Sequence, residues 1–369
     1  MSSLANLPRR LLGLSLSLAL ALAQQAPCNG HAELCGRRYS NLTLVGSHNS
    51  AFTGTGPADN QETDVAAQLA QGVRFLQAQT HLDNNTIKLC HTACFLEDAG
   101  LLETYLAGVR AFLDANPREH VTLLLTNQDG QSGAAFDAVF RASGIQGYAF
   151  APGRDLTLDQ WPTLGQMIDN GQRLVVFMDF PAGDAVPYIL NEFDPYIIET
   201  PFDFTDPAFA QCSIDRPPRA SPQGRMVLVN HFLATNLSGI LIPNRAAADA
   251  TNSAASITAQ ANICVGLYGS NPNFILLDWM SVGDGMAVQA MMNGVPFIPS
   301  TTVSGIPGSA TSSPARIPAG NGTGNGAGSA TQDEAPGSTS ASAGHSQPAP
   351  SARIAAVLAC GLLALLVDT

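Results

Sequence analysis

The chain has 369 residues, a formal net charge of −12 at pH 7, and only 12% charged residues. Its basic residues are one lysine, Lys88, and sixteen arginines, and the longest basic runs are the pairs Arg9–Arg10 and Arg37–Arg38. Because a nucleic-acid backbone is bound by clustered lysine and arginine side chains, this composition excludes a nucleic-acid partner. The length suffices for one large domain with a sizeable core, which we expect to be monomeric.

The amino terminus has the layout of a secretory signal. The pair Arg9–Arg10 precedes an apolar run, Leu11–Ala23, which closes on small residues. This order is typical of a signal peptide, and thirteen apolar residues fall short of the roughly 20 that a membrane-spanning helix needs. We expect residues 1–23 to be a signal peptide and the mature chain to start at Gln24.

A low-complexity segment follows the globular part of the chain. From Ser300 to Arg353 the sequence lacks Leu, Phe, Tyr, Trp, Met and Cys, and it is rich in Gly, Ser, Thr, Ala and Pro. Such a segment cannot bury enough apolar surface to offset the entropy lost on ordering. We expect residues 300–344 to form a disordered stalk.

The carboxyl-terminal residues have the order of a glycosylphosphatidylinositol attachment signal. Small residues around Ser342 are followed by a polar spacer and then by the apolar run Ile354–Val367. Fourteen residues in a helix would reach only about 21 Å across a hydrocarbon core of roughly 30 Å, which disfavours a transmembrane helix. We expect residues 345–369 to be removed and Ser342 to carry the anchor, which would hold a secreted protein at the plasma-membrane surface.

The cysteines and glycosylation triplets agree with export. Outside the tail, which contains Cys360, an even number of cysteines remains: Cys28, Cys35, Cys90, Cys94, Cys212 and Cys264. Of the fifteen ways to pair six cysteines, the sequence-local pairing of 28 with 35, 90 with 94 and 212 with 264 is the simplest. The spacing of Cys90, His91 and Cys94 is also that of half a zinc site, but no second cluster completes it. Sequons at Asn41, Asn84, Asn236 and Asn321 predict a glycoprotein.

Residues 24–299 read as one α/β domain. Strand-like apolar runs occur at 42–46, 73–79, 86–90, 121–126, 173–178, 226–230 and 274–278, and helical patterns occur at 62–71, 101–116 and 134–143. The continuously apolar runs Leu123–Leu125, Leu174–Phe177 and Ile275–Leu277 are typical of parallel strands that are covered on both faces. No glycine fingerprint for a nucleotide follows a strand, which favours a barrel over a Rossmann fold.

Polar residues follow several of the predicted strands, where barrels of this kind carry their chemistry: His48, Asn49, Gln77, Gln79, His91, Asn127, Asp179, Asn230, His231 and Asp278. Two histidines and an aspartate can form an acid/base pair with an orienting carboxylate. From the spacing alone, the alternative that these histidines are hydrogen-bonded core residues stays open.

Four segments resemble the X-box half of phosphatidylinositol-specific phospholipases C and the PLC-like phosphodiesterases: Leu44–Ser50, Gly72–Gln79, Asn85–His91 and Phe274–Trp279. The similarity extends from about Tyr39 to about Met291. It implies an irregular TIM barrel in a single domain. It also implies that His48 is a general base on an inositol hydroxyl, that Asp278 orients it, and that His91 is a general acid toward the leaving oxygen of the lipid. The product would be a cyclic phosphate.

The chain departs from both branches of this family at the charged positions. The metal-dependent branch binds calcium through an asparagine, which Asn49 matches, and through acidic residues where this chain has Gln77 and Gln79. The metal-independent branch has an arginine on the second strand and an aspartate after the first histidine. A further charged residue is typical where Asn127 stands. Neutral amides make poor calcium ligands, so calcium or magnesium lacks its acidic ligands here and we assign no metal-binding residue.

Three hypotheses follow. The first is a phosphodiesterase of the phospholipase C type that acts on a phosphoinositide or a related phospholipid or glycolipid through His48, His91 and Asp278. Asn49, Gln77, Gln79, Asn127 and Asp179 would bind substrate or support catalysis. The second is a catalytically impaired relative that binds lipid head groups or glycans at the cell surface. The third is a relative of sphingomyelinase D or of glycerophosphodiester phosphodiesterases, which need magnesium, and for which Asp83 is the only nearby acidic substitute.

Overall fold

The computed structural model describes residues 26–179 and 186–299 of the chain. The expected signal peptide, stalk and anchor signal, together with Asn321 and Ser342, lie outside the described residues. Within the described ranges, no helix combines the length and the apolar character that crossing a membrane requires.

The described chain alternates strands and helices. The strands are β1 (Leu44–Ser47), β2 (Phe75–Asp83), β3 (Thr86–Cys90), β4 (Asp98–Leu101), β5 (Val121–Asn127), β6 (Leu174–Met178), β7 (Ile189–Asn191), β8 (Ile197–Glu199), β9 (Met226–Asn230), β10 (Ala234–Leu237), β11 (Ile240–Pro243) and β12 (Phe274–Leu277). The helices are α1 (Ala32–Cys35), α2 (Val65–Ala70), α3 (Leu102–Ala115), α4 (Gly133–Ala142), α5 (Leu164–Asp169), α6 (Ala248–Thr251), α7 (Ala254–Tyr268) and α8 (Gly285–Met292).

Eight parallel strands form a curled sheet in the order β7-β6-β5-β2-β1-β12-β9-β8. The first and last strands in this order, β7 and β8, do not pair with each other within the described residues. The sheet is therefore an open, irregular TIM barrel, which confirms the expected α/β barrel.

Alternation along each strand separates an inner core from an outer one. Inside the barrel, Leu44, Phe75, Phe177 and Phe274 pack with the aromatic pair Tyr39 and Trp161. The intervening residues face outward and pack against the helices; they include Val45, Leu76, Val176 and Ile275. Since side chains alternate with a period of two, the inward positions at the carboxyl ends of the strands are those of His48, Gln77, Gln79, Asp179 and Asp278.

The strand at 86–90 is not a barrel strand. It pairs antiparallel with the extension of β2 beyond the barrel, and β4 pairs antiparallel with it in turn. The prediction that His91 ends a barrel strand was therefore wrong. β2 rises above the barrel and β3 returns, which brings His91 back to the carboxyl end of the barrel. We call β3, β4 and the loop between them the β3–β4 arm.

Within residues 26–179 and 186–299, three disulfides join Cys28 to Cys35, Cys90 to Cys94, and Cys212 to Cys264. This is the sequence-local pairing. The Cα–Cα distances of 4.7 to 5.3 Å are ordinary for disulfides. Because the sulfur atoms of Cys90 and Cys94 are bonded to each other, neither residue offers a thiolate to a zinc ion.

Candidate active site

A close approach of two strands places the first histidine. Gly46 lies inward on β1, where an added Cβ atom would come within 2.4 Å of the backbone oxygen of Phe75 on β2. Only glycine fits this position. Two residues further along, on the same side of the chain, His48 lies at the carboxyl end of β1.

His48 is held by a carboxylate and an aromatic ring. Its Nδ1 atom lies 2.8 Å from Oδ1 of Asp278, which is only 4% exposed. Its ring stacks on Phe232 at a centroid distance of 3.7 Å and an interplanar angle of 2°. Within the described residues no hydrogen bond is made to Nε2 of His48. The Asp278 contact fixes the ring as the tautomer with hydrogen on Nδ1, so Nε2 can accept a proton.

A chain of hydrogen bonds joins this pair to the second histidine. Asn60 donates to Oδ1 of Asp278 at 3.0 Å, and its carbonyl oxygen accepts from Nδ2 of Asn49 at 3.1 Å. The same Nδ2 atom lies 3.3 Å from Nε2 of His91. Asn49 and Asn60 are both buried. The structure therefore brings His48, His91 and Asp278 into one network.

The carboxylate of Asp278 determines which atoms donate and which accept along this chain of hydrogen bonds. A carboxylate only accepts, so Asn60 must present its amide nitrogen to Asp278 and its oxygen to Asn49. Asn49 then presents Nδ2, a donor, to Nε2 of His91. Neutral His91 consequently carries its hydrogen on Nδ1, which lies 2.7 Å from the backbone oxygen of Ala58.

Two carboxyl groups lie on the other side of His91. Oε2 of Glu97 is 3.6 Å from Nδ1 of His91, and the ring of Phe52 stacks on the imidazole at 5.0 Å. Burial and the neighbouring Glu97 carboxyl raise the pKa of Asp59 to about 6. The two carboxyl groups are close enough to share a proton.

The two glutamines on β2 have structural partners. Oε1 of Gln77 accepts from the backbone N–H of Asn49 at 2.7 Å, and Oε1 of Gln79 accepts from the backbone N–H of Thr92 at 3.0 Å. Their oxygens thus hold the loops that carry Asn49 and His91. Within the described ranges no group of three or more His, Cys, Asp or Glu side chains could hold a metal ion. The residues at this site therefore do not fit the calcium or magnesium centre of the metal-dependent enzymes.

Asn127 bonds the loop that follows β5. Its side chain exchanges hydrogen bonds with the backbone of Gln131, at 2.9 and 2.8 Å, and so closes the loop that leads to α4. Asp179 is buried and accepts from the backbone N–H of Asn127 at 2.7 Å. His231 is also fully buried and bonds Gln260 of α7 at 2.5 Å.

A second polar cluster lies at the carboxyl ends of β7, β8 and β9. Glu199 forms an ion pair with Arg216, and Nδ2 of Asn230 lies 3.4 Å from the same carboxylate. Glu192 is fully buried beside them. Burial, reinforced by the charge of Glu199, raises the pKa of Glu192 well above its usual range.

Sequence reasoning missed several residues of the site. Asn60, Asp59 and Glu97 lie in irregular loops, and Phe232 follows β9 in a short apolar run. Periodicity carries no information in such loops. Glu192 and Glu199 could have been predicted to face inward, because they lie two residues after the inward-facing residues Leu190 and Ile197, respectively.

Comparisons with known proteins show which family the sequence matches. A family model described as PI-PLC X 1 matches residues 34–293. A PI-PLC X domain-containing protein 1 of Arthroderma benhamiae is 48% identical over 283 residues, which are 75% of this chain and 92% of that protein. An uncharacterized secreted protein of the same organism is 43% identical over 288 residues, 73% of this chain and 65% of that protein.

Among solved structures, the chain is similar to a phosphatidylinositol-specific phospholipase C from Listeria monocytogenes, at 17% identity and a TM-score of 0.48. The similarity covers 71% of this chain and 96% of that chain.

Proposed function

The chain belongs to the PI-PLC X family, and from this premise we propose that it is a phosphodiesterase that cleaves a phosphoinositide or a related glycolipid. The observation that carries the proposal is the network that joins the His48–Asp278 pair to His91. It supplies one imidazole with a free Nε2 and a second imidazole within the same site, which is what concerted proton removal and proton delivery require.

In the proposed reaction, Nε2 of His48 takes the proton of a hydroxyl group next to the phosphodiester. The hydroxyl oxygen then attacks phosphorus, and a new P–O bond closes a cyclic phosphate. Asp278 stabilises the imidazolium that forms on His48, and the stacked ring of Phe232 keeps the imidazole in place.

His91 would act at the leaving oxygen. As the bond between phosphorus and the lipid oxygen breaks, an imidazolium at His91 gives up its Nε2 proton to that oxygen. Since neutral His91 has its hydrogen on Nδ1, the active form is the doubly protonated ring, and the amide of Asn49 must turn away from Nε2.

We assign the head group to the polar cluster around Glu199. Carboxylates, an arginine and an amide offer both acceptors and donors, which suits a polyol with several hydroxyl groups. Asp179, which is buried nearby, belongs to the same proposed surface. Its charge and that of Glu199 contribute to the raised pKa of Glu192.

The substrate would be reached at a lipid surface. Large apolar side chains on segments that leave the carboxyl ends of the strands are exposed: Phe95 by 75%, Phe202 by 43%, Leu237 by 42% and Leu241 by 43%. We propose that the protein is secreted, which the name of one relative supports, and that a lipid anchor holds it at the plasma membrane.

The test is release of water-soluble head group from phosphatidylinositol vesicles by the protein purified from a secreting host. Calcium, magnesium and a chelator are compared, with His48→Ala as the control. Turnover that is lost in His48→Ala and unaffected by the chelator supports the proposal. Turnover that requires magnesium would instead favour the glycerophosphodiester phosphodiesterase class.

A binding protein without turnover is the second candidate. It is favoured by the engagement of Gln77 and Gln79 in internal hydrogen bonds, which leaves the phosphate without the cation of either family branch. Losing one well-placed electrostatic donor costs about 10² to 10³ in rate. No turnover above the His48→Ala control, together with a rise in melting temperature on adding inositol phosphate, would establish this role.

A further inference from the structure

His91 has a neutral amide on one ring nitrogen and a carboxylate near the other. Asn49 stabilises no positive charge at Nε2, because it presents a donor to that atom. On the Nδ1 side, Oε2 of Glu97 is buried and accepts no hydrogen bond from any described residue. A buried carboxylate oxygen without a donor is costly unless a positive charge compensates it.

The β3–β4 arm fixes Glu97 relative to His91. The backbone N–H of His91 donates to the backbone oxygen of Glu97 at 3.2 Å, and the Cys90–Cys94 disulfide closes the turn between them. Gln79 holds the same turn through Thr92. The imidazole and the carboxylate therefore move as one unit.

We propose that Glu97 is a positioning residue that stabilises the imidazolium form of His91, with Asp59 as the second carboxyl group of the pair. This inference rests on the proposed function, in which His91 is the general acid. An opposite charge at this distance favours the protonated ring, while the backbone oxygen of Ala58 accepts the hydrogen on Nδ1 and orients the ring.

Asp59 makes this support depend on pH. With a pKa of about 6, Asp59 binds a proton in acid and shares it with Glu97, and it is ionised at neutral pH. The negative charge beside His91 is thus largest above pH 6, where an unsupported imidazole would lose its proton. The other groups that face His91 are neutral: the Asn49 amide, the Ala58 carbonyl and the Phe52 ring. The His48–Asp278 pair acts on it through Asn60.

The experiment follows the imidazole signals by NMR as a function of pH in the full-length protein, with His91 assigned from a His91→Asn variant. In Glu97→Gln we expect the titration midpoint of His91 to fall by about one pH unit, because an opposite charge has been removed. The basic limb of the pH profile of kcat/KM should move down by the same amount. Glu97→Asp should keep the His91 midpoint and the basic limb of the kcat/KM profile close to those of the wild type. Glu33 is an exposed glutamate at the amino end of the barrel, and Glu33→Gln should change neither quantity.

The outcomes separate this inference from the proposed function. An unchanged midpoint in Glu97→Gln overturns the role of Glu97, whether or not the protein turns over lipid. A shifted midpoint in a protein without turnover supports the role of Glu97, while the phosphodiesterase proposal fails. If Glu97→Gln does not fold, the His91 titration of Asp59→Asn is compared with that of the wild type. A difference between the two midpoints supports the role of the Asp59–Glu97 pair, and identical midpoints overturn it.

Discussion

The side chain of Asn60 donates to Asp278 and accepts from Asn49, so it links the orientation of the His48–Asp278 pair to that of His91. Nothing in the sequence around Asn60 marks it, since it lies in the loop between β1 and α2. His48 and Asp278, by contrast, follow inward apolar strands and could be predicted. The sequence thus predicts His48, Asp278 and Asn49 and omits Asn60, which joins them.

Replacing Asn60 should affect catalysis more than substrate binding. We expect Asn60→Ala to lower kcat about 10- to 100-fold, because one buried hydrogen bond is worth about 1 to 3 kcal/mol when its partner is left unsatisfied, and about 1.4 kcal/mol is tenfold in rate. Steady-state kinetics on phosphatidylinositol vesicles measure this. Asn271→Ala, at an exposed asparagine that bonds only the Met292 carbonyl among the described residues, serves as the control. An unchanged kcat would show that the two histidines are positioned independently.

His120 is expected to make the folded state sensitive to acid. It is buried, its ring nitrogens have no hydrogen-bond partner among the described residues, and burial lowers its pKa to about 3. The unfolded chain binds a proton on this residue near pH 6.5, so stability falls as pH drops from 6.5 toward 3. At pH 4.5 the loss from His120 would be about 3 kcal/mol.

His120→Phe should remove this part of the acid sensitivity. The free energy of unfolding of both proteins is measured by urea denaturation at pH 7.5 and pH 4.5. We expect the decrease between the two pH values to be smaller in the variant by about 3 kcal/mol. Equal decreases in the two proteins would mean that His120 is hydrated or partnered in the folded state.

At the scale of elements, the long apolar strands were predictable and the short ones were not. β5, β6 and β12 each contain a continuous apolar run, and their bounds agree with the sequence to within one or two residues. β7 and β8 have three residues each, too few for a periodic signal. The antiparallel course of β3 depends on the turn at Asn84 and Asn85, both at positive φ, so its apolar residues alone suggested one more barrel strand.

We expect two of the disulfides to differ in their effects on stability and on activity. The loop-entropy relation gives about 2 kcal/mol for the short Cys90–Cys94 loop and about 4 kcal/mol for the long Cys212–Cys264 loop. Only the former closes the turn beside His91.

We therefore expect the Cys90→Ser, Cys94→Ser double variant to lose about 10- to 100-fold in kcat, since small displacements of a catalytic group are costly. It should lose less stability than the Cys212→Ser, Cys264→Ser double variant, which should keep its kcat. Urea denaturation and vesicle kinetics on both variants provide the comparison. A larger loss of kcat in the second variant would contradict the assignment of the arm to catalysis.

At the scale of the whole molecule, the two ends of the barrel differ. The carboxyl end carries both histidines and the exposed apolar side chains of the arm and of the β10–β11 hairpin. The amino end is closed by the Cys28–Cys35 segment and by the buried ion pair of Arg74 with Glu119. Chemistry and lipid contact are thus proposed on one end.

Phe95→Ala should weaken binding to phosphatidylinositol vesicles several-fold, because a largely exposed phenylalanine gains apolar contact at a lipid surface. Vesicle co-sedimentation measures this. Phe297→Ala changes a half-exposed phenylalanine near the amino end and should leave binding unchanged. Equal losses in the two variants would exclude an oriented approach to the membrane.

The segments that carry His48 and His91 differ in their stability against local unfolding. β1 pairs with barrel strands on both sides, whereas among the described residues the arm pairs with the barrel only through β2, and β4 is mostly exposed. Native-state hydrogen exchange should accordingly be faster for the amides of the arm than for those of β1. While the arm is open, a molecule would keep its base and lack its acid. The equilibrium of the arm would then set the fraction of folded protein that can complete a turnover.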